Sequence, residues 1–176
     1  MLKGKDEAVQ RQSNLIMFID FAQNELVYLS RVDSDLTTSG RAKCLETAIK
    51  LLEIICEGEE NALFYNVRLA SCYQQLARMY SGFYNSEDLD KNKAVEYLLC
   101  AERTGKRFDQ CQSGEPQYYK SLFLNNEKFV PHNTLDGYVV NSSESLLHFI
   151  RLFDGFKNLS DHPEFIALME RLEKAK

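Results

Sequence analysis

Two stretches with equal spacing decide the fold: Ala48-Ile49-Lys50-Leu51-Leu52-Glu53-Ile54-Ile55 and Ala94-Val95-Glu96-Tyr97-Leu98-Leu99-Cys100-Ala101. Ala48, Leu52 and Ile55 stand at the same offsets as Ala94, Leu98 and Ala101. Steps of four and three keep such residues on one face of a helix with 3.6 residues per turn. A small residue at the first position lets a neighbouring helix approach closely, and the next two continue that face. The spacing predicts helices over about residues 40–57 and 88–110. Cys44, Leu45, Leu51 and Cys56 join the first apolar face, and Val95 and Phe108 join the second.

Working outward, Leu15, Phe18, Ile19, Ala22 and Leu26 recur at helical steps and predict a helix over about 7–31. Asp33-Ser34-Asp35-Leu36-Thr37-Thr38-Ser39-Gly40 follows as a loop rich in turn and cap residues. Gly58 breaks the second helix. A third helix, about 60–84, carries Leu63, Val67, Ala70, Tyr73, Leu76, Ala77 and Tyr80, and Asn85-Ser86-Glu87-Asp88 forms a turn and cap. Beyond Gln112-Ser113-Gly114-Glu115, Pro116 suits the first turn of a short helix reaching about Asn125. Residues 127–141 read as irregular, with Tyr138-Val139-Val140 too short to anchor a sheet. Ser142 or Ser143 caps a helix with Leu146, Leu147, Ile150 and Phe153 inward. Asp161 caps a last helix, with Pro163 in its first turn and Phe165, Leu168, Met169 and Leu172 inward. The expectation is an all-α chain of about seven helices in antiparallel pairs, one domain over 1–176 with two pairs in 1–110 and divergent helices in 111–176.

Composition agrees. Of the 176 residues 44% are hydrophobic and 27% charged, a balance that supports a buried core. Only 8 Gly and 3 Pro are present, too few to punctuate many short strands. The net charge of −5 argues against a phosphate-backbone binder. The nearest basic patch, Lys91, Lys93, Arg103, Lys106 and Arg107, reads as a solvated helix face with a favourably charged C-terminal end. No apolar signal core opens the chain and no run reaches membrane-span length, so a cytoplasmic protein with no membrane association is expected. Its five cysteines, Cys44, Cys56, Cys72, Cys100 and Cys111, should then be reduced.

The third and fourth helices carry a recognisable pattern. Leu69-Ala70 followed by Tyr73 on one helix, then Ala94, Leu98 and Ala101 on the next, resembles the tetratricopeptide repeat. Ala70 stands where that family favours Gly, and no Pro closes the unit after Ala101. Pro116-Gln117-Tyr118-Tyr119-Lys120-Ser121-Leu122, Leu124-Asn125-Asn126, Asn133, Ser145-Leu146-Leu147 and Asp161-His162-Pro163-Glu164-Phe165 follow in order. That order resembles the C-terminal region of bacterial regulators in which a Cro/repressor-type helix-turn-helix precedes tetratricopeptide-like helices. The likeness spans roughly residues 40–176. It implies a short right-handed superhelix of helix pairs with divergent C-terminal capping helices, acting as a regulatory or scaffolding module. Residues 1–30 are too few to hold the DNA-reading domain, so no direct nucleic-acid contact is expected.

Little points to catalysis. The cysteines show no zinc spacing and read as buried small hydrophobes, with Cys111 the most exposed to reaction. His132, His148 and His162 stand near no nucleophile motif, and His162 reads as structural. The glycines form no phosphate loop, and Glu59-Glu60 and Glu87-Asp88 read as helix-start acids. No enzyme, cofactor or metal is expected. A binding surface suits the pattern better. By the resemblance, the first helix of a pair lines a concave groove, which here implies Phe64, Val67, Arg68, Ser71, Gln74 and Gln75. Arg68 offers a fork for a carboxylate, unless it pairs with Glu59 or Glu60, and the Gln amides offer bonds to a peptide backbone. The aromatic surplus of 11 Phe and 9 Tyr reads as mostly core at Phe64, Tyr65, Tyr73, Tyr80, Phe83 and Tyr84. In 117–156 it offers a homodimer surface. The expected partner is a protein or peptide. The alternative is a homodimerisation scaffold without a small ligand.

Overall fold

The computed structural model describes residues 2–31, 35–55, 63–111, 117–118, 128–129 and 141–175. Within them, side chains are described for residue 10, residue 14, most of 17–55, and 65–109 and 141–175. The helices are α1 Leu2–Leu29, α2 Thr38–Ile55, α3 Leu63–Tyr80, α4 Lys91–Cys111, α5 Ser142–Leu152 and α6 Pro163–Lys174. Short 3-10 helices occupy Ser86–Asp88 and Asp154–Leu159. No described helix is long and apolar enough to cross a membrane.

The fold is helical, as expected, with one local correction. Gln117–Tyr118 (β1) and Lys128–Phe129 (β2) form a two-residue antiparallel ladder, where the sequence predicts the start of a helix over 116–125. Aromatic residues favour a pleated pair, and the fixed φ of a proline suits a strand end as well as a helix start. The rest of that predicted helix, the Asp33-Ser34 part of the loop, Gly58, Cys56, Glu59-Glu60, His132, Asn133 and Tyr138–Val140 lie outside the described residues.

The chain divides into two compact units. Unit 1 comprises Met1–Ala62 and Pro116–Phe129; unit 2 comprises Leu63–Glu115 and Val130–Lys176.

In unit 1, α1 packs against α2. Thr37 caps α2, its hydroxyl accepting from the Gly40 N–H at 3.2 Å, so the helix starts earlier than the Gly40 signal suggests. Leu45, Ala48, Leu52 and Ile55 are buried as their spacing predicts. Phe18 departs from expectation: it is 69% exposed on the outward side of α1. The side chains of Leu15 and Ile19 lie outside the described residues.

In unit 2, α3 and α4 form an antiparallel pair of long mutual contact, and α5, the second 3-10 helix and α6 close over α4. The core joins Ala77, Ala94, Val95, Leu98 and Ala101 to Leu146, Leu147, Ile150, Phe156, Leu159, Phe165, Leu168 and Leu172. Polar ties fix the arrangement. Asp109 accepts from the backbone N–H of Ser142 at 3.2 Å and from its hydroxyl. Glu102 on α4, nearly buried, accepts from Arg171 of α6 at 2.7 and 3.1 Å and from Lys106 at 2.8 Å. Burial pushes the Glu102 carboxyl up, but the hydrogen bonds and charges of Arg171 and Lys106 outweigh it and hold the group below the usual carboxylate range. Three cap expectations are corrected. Asn141, not a serine, caps α5, accepting from the N–H groups of Ser143 and Glu144. His162 occupies the cap position of α6, because Asp161 turns away to pair with Lys91 at 2.6 Å. Asp90 likewise takes over from Glu87-Asp88 at the start of α4, accepting from the Lys93 N–H at 3.1 Å.

Candidate functional site

The predicted groove residues all belong to α3, and the structure places them on one side of it. At 100° per residue, Phe64, Val67, Arg68, Ser71, Gln74 and Gln75 fall within roughly a third of the helix circumference. Val67 is 39% exposed although its spacing also reads as core. Ser71 is exposed, and Arg68, Gln74 and Gln75 are half-buried. Arg68 already has an interaction partner within the chain. The side chain of Phe64 lies outside the described residues.

The same arc runs on to a residue that sequence reasoning missed. Arg78 stands four residues beyond Gln74 and seven beyond Ser71, in the middle of the stripe. Its guanidinium carbon lies 4.6 Å from the ring centre of Phe153, 5.0 Å from Tyr84 and 5.7 Å from Phe83. These are cation–π distances. The Nε is buried and has no hydrogen-bond partner. Burial lowers the guanidinium below its usual value, opposed by the Tyr84 hydroxyl, and no carboxylate contributes. The group remains a cation at any physiological pH.

Local sequence builds this aromatic box. α3 ends at Tyr80, and Gly82 takes φ +76°, a left-handed turn that non-glycine residues rarely adopt. The turn swings Phe83 and Tyr84 back over Arg78. Gly155 lets the second 3-10 helix approach the turn: a Cβ there would stand 2.6 Å from Ser81 Oγ and 2.7 Å from Phe83 Cβ. The Asn158 amide donates to the Ser81 carbonyl at 2.9 Å and locks the contact. Phe83 packs edge-on to Tyr84 and to Phe153 at 5.0 and 5.2 Å, and Phe153 continues through Phe149 to the buried Phe156. Phe83 itself is 40% exposed, so the box is anchored in the core and opens at the surface. This corrects the reading of Phe83 and Tyr84 as core. Tyr73 and Tyr80 are half-buried and stack on Tyr97 at 6.2 and 5.8 Å.

Other candidate groups have structural contacts. Among the described residues, no cluster of His, Cys, Asp and Glu could hold a metal. Cys72 is buried as expected, whereas Cys44 and Cys100 are only half-buried; the side chain of Cys111 is not among those described. His162 Nε2 lies 3.1 Å from Asn92 Oδ1, and its Nδ1 is buried without a partner. His148 is exposed. On α4, Lys93 lies 4.8 Å from the Tyr80 ring centre, and Arg103 donates to Cys100 Sγ at 3.2 Å. An open depression of about 390 Å³ beside α4 is lined by Glu96, Leu99, Cys100, Arg103 and Glu164.

No family model, curated protein or solved structure matches the chain.

Proposed function

We propose that this protein is a partner-binding module that receives an extended peptide segment along the outward face of α3 and anchors a carboxylate of that segment on Arg78. Arg78 carries the reading: a half-desolvated cation, walled by three rings, with no carboxylate among the described residues to balance it. Removing a charge from water without an opposite charge is costly. Cation–π contacts return about 0.5–2 kcal/mol and satisfy none of the guanidinium N–H donors. A carboxylate accepts that fork in two parallel bonds. Gln74 and Gln75, on the same stripe, supply amides for a peptide backbone. The tetratricopeptide-like sequence pattern supports the same use of α3. By its further likeness to regulators, the module is the partner-responsive or scaffolding part of a transcription regulator, binding no nucleic acid itself, in the cytoplasm.

The test is a selection of displayed extended peptides on the full chain. Enrichment of Asp, Glu or a free C-terminal carboxylate at one fixed position is expected. Arg78→Leu keeps an apolar stem between the rings, and should weaken a selected peptide by at least about tenfold, a loss of ~1.4 kcal/mol. Its thermal midpoint should change little. Peptides without an acidic position, or equal binding to Arg78→Leu, would overturn the reading.

A further inference from the structure

The outward side of α1 carries four exposed large apolar side chains. Met17, Phe18, Phe21 and Tyr28 are 59%, 69%, 64% and 54% exposed. At 100° per residue they share one arc with the exposed Gln10, Asn14, Asn24 and Glu25. The buried Gln23 and Ser30 lie on the opposite side of the helix. A helix apolar on both sides is normally covered on both, and a contiguous exposed apolar patch marks an interaction surface.

We infer that this face pairs with the same face of a second copy of the chain, the two α1 helices running antiparallel about a two-fold axis. Area supports it: four large side chains, each more than half exposed, offer on the order of 100 Å² apiece. With the polar rim, two copies would remove roughly 1,000–1,200 Å² from water, at the lower end of specific interfaces. Charge fixes the direction. Glu25 is the sole charged residue of the arc among the described side chains. Parallel pairing would set Glu25 against Glu25, whereas antiparallel pairing holds the two about 16 Å apart along the helix. An axis between Ile19 and Asp20 places Phe18 against Phe21 of the second copy and Asn14 against its Glu25. Asn14 Oδ1 already accepts from the Gln10 amide at 3.0 Å, which leaves the Asn14 amide group to donate to that carboxylate. A lipid surface fits less well, because interfacial helices carry a Lys- and Arg-rich rim and this one is neutral to acidic. The surface lies in unit 1 and draws nothing from the Arg78 site.

Sedimentation velocity of the full chain tests it, over roughly 1–300 µM, the range in which an interface of this size assembles. The weight-average mass should rise toward twice that of the monomer. Phe18→Glu with Phe21→Glu should stay monomeric throughout, with helical circular dichroism and thermal midpoint unchanged. Phe18→Leu with Phe21→Leu should retain self-association. Asn14→Lys should tighten the dimer severalfold at low salt and Asn14→Asp should loosen it. A wild-type chain that remains monomeric, with or without uptake on vesicles, overturns the inference. Self-association that survives the double glutamate variant also overturns it, and Asn14→Lys without tightening overturns the antiparallel pairing. Arg78→Leu should leave self-association untouched, which separates this test from that of the peptide site.

Discussion

Unit 1 and unit 2 use the same helical periodicity and finish differently. In unit 2 the apolar faces of α3, α4, α5 and α6 meet one another, and polar ties join the elements, Glu102 to Arg171, Asp109 to Ser142 and Asn158 to Ser81, with Arg78 Nε and His162 Nδ1 left unpartnered. In unit 1 the buried face of α2 is equally well formed, but α1 shows large apolar side chains on its outward side. The Gln10 amide donates to Asn14 one turn on, within α1. An apolar core closed in this way tolerates little change inside and gains little from a further apolar cover. An unsaturated helix tolerates substitution on its bare side until a second surface covers it.

Core deletion should separate the two most sharply. Leu98→Ala empties a fully buried position of unit 2 and should cost about 3 kcal/mol in chemical denaturation, as partly relaxed cavities do. A loss below ~1 kcal/mol would show that unit 2 is not the tightly closed body described. Gly155→Ala comes next. Its methyl group collides with Ser81 and Phe83, so overpacking of roughly 2 kcal/mol is expected, with a matching loss at the Arg78 box visible in near-ultraviolet circular dichroism. Glu102→Gln should cost ~1–2 kcal/mol at neutral pH, the value of charge-assisted bonds with one half-exposed partner. The folded-state pKa of Glu102 is depressed, so its stabilisation is full above its ordinary value of 4.5 and fades as pH falls through the lower folded value. The gap between wild type and Glu102→Gln should therefore close on acidification below about pH 4.5; a gap that widens there would refute the pairing. The smallest effect belongs to α1: Phe18→Ser should change stability by less than about 0.5 kcal/mol at dilute concentration. A large loss would mean that the outward face is covered within a single chain.

The sequence reached the inward faces more reliably than the boundaries or the site. Ala48, Leu52, Ile55, Ala94, Leu98 and Ala101 are all buried, because a 3.6-residue period is written directly in residue order. Caps were harder. Asn141, Asp90 and His162 hold positions for which the sequence also offers their neighbours, since several cap-forming residues stand side by side and only tertiary partners choose among them. Lys91, distant in sequence, draws Asp161 away from the cap of α6. Phe18 has the spacing of a core residue and the exposure of a surface one, because periodicity cannot tell which of two apolar faces meets the rest of the chain. Arg78 was legible in part. Its place on the stripe with Ser71 and Gln74 could be read, but its box needs Phe153 from seventy-five positions downstream and the glycines that admit it.

Unit 1 takes one segment, Pro116–Phe129, from beyond the first half of unit 2. Neither body is therefore a contiguous piece of chain. During synthesis, α1 and α2 emerge well before the ladder of β1 and β2 that completes their unit, and α3 and α4 emerge before α5 and α6. Each unit must wait, partly formed, while the ribosome makes part of the other. No single cut in the chain yields either one whole, and a graft of either into another protein would have to carry two segments and a new joint.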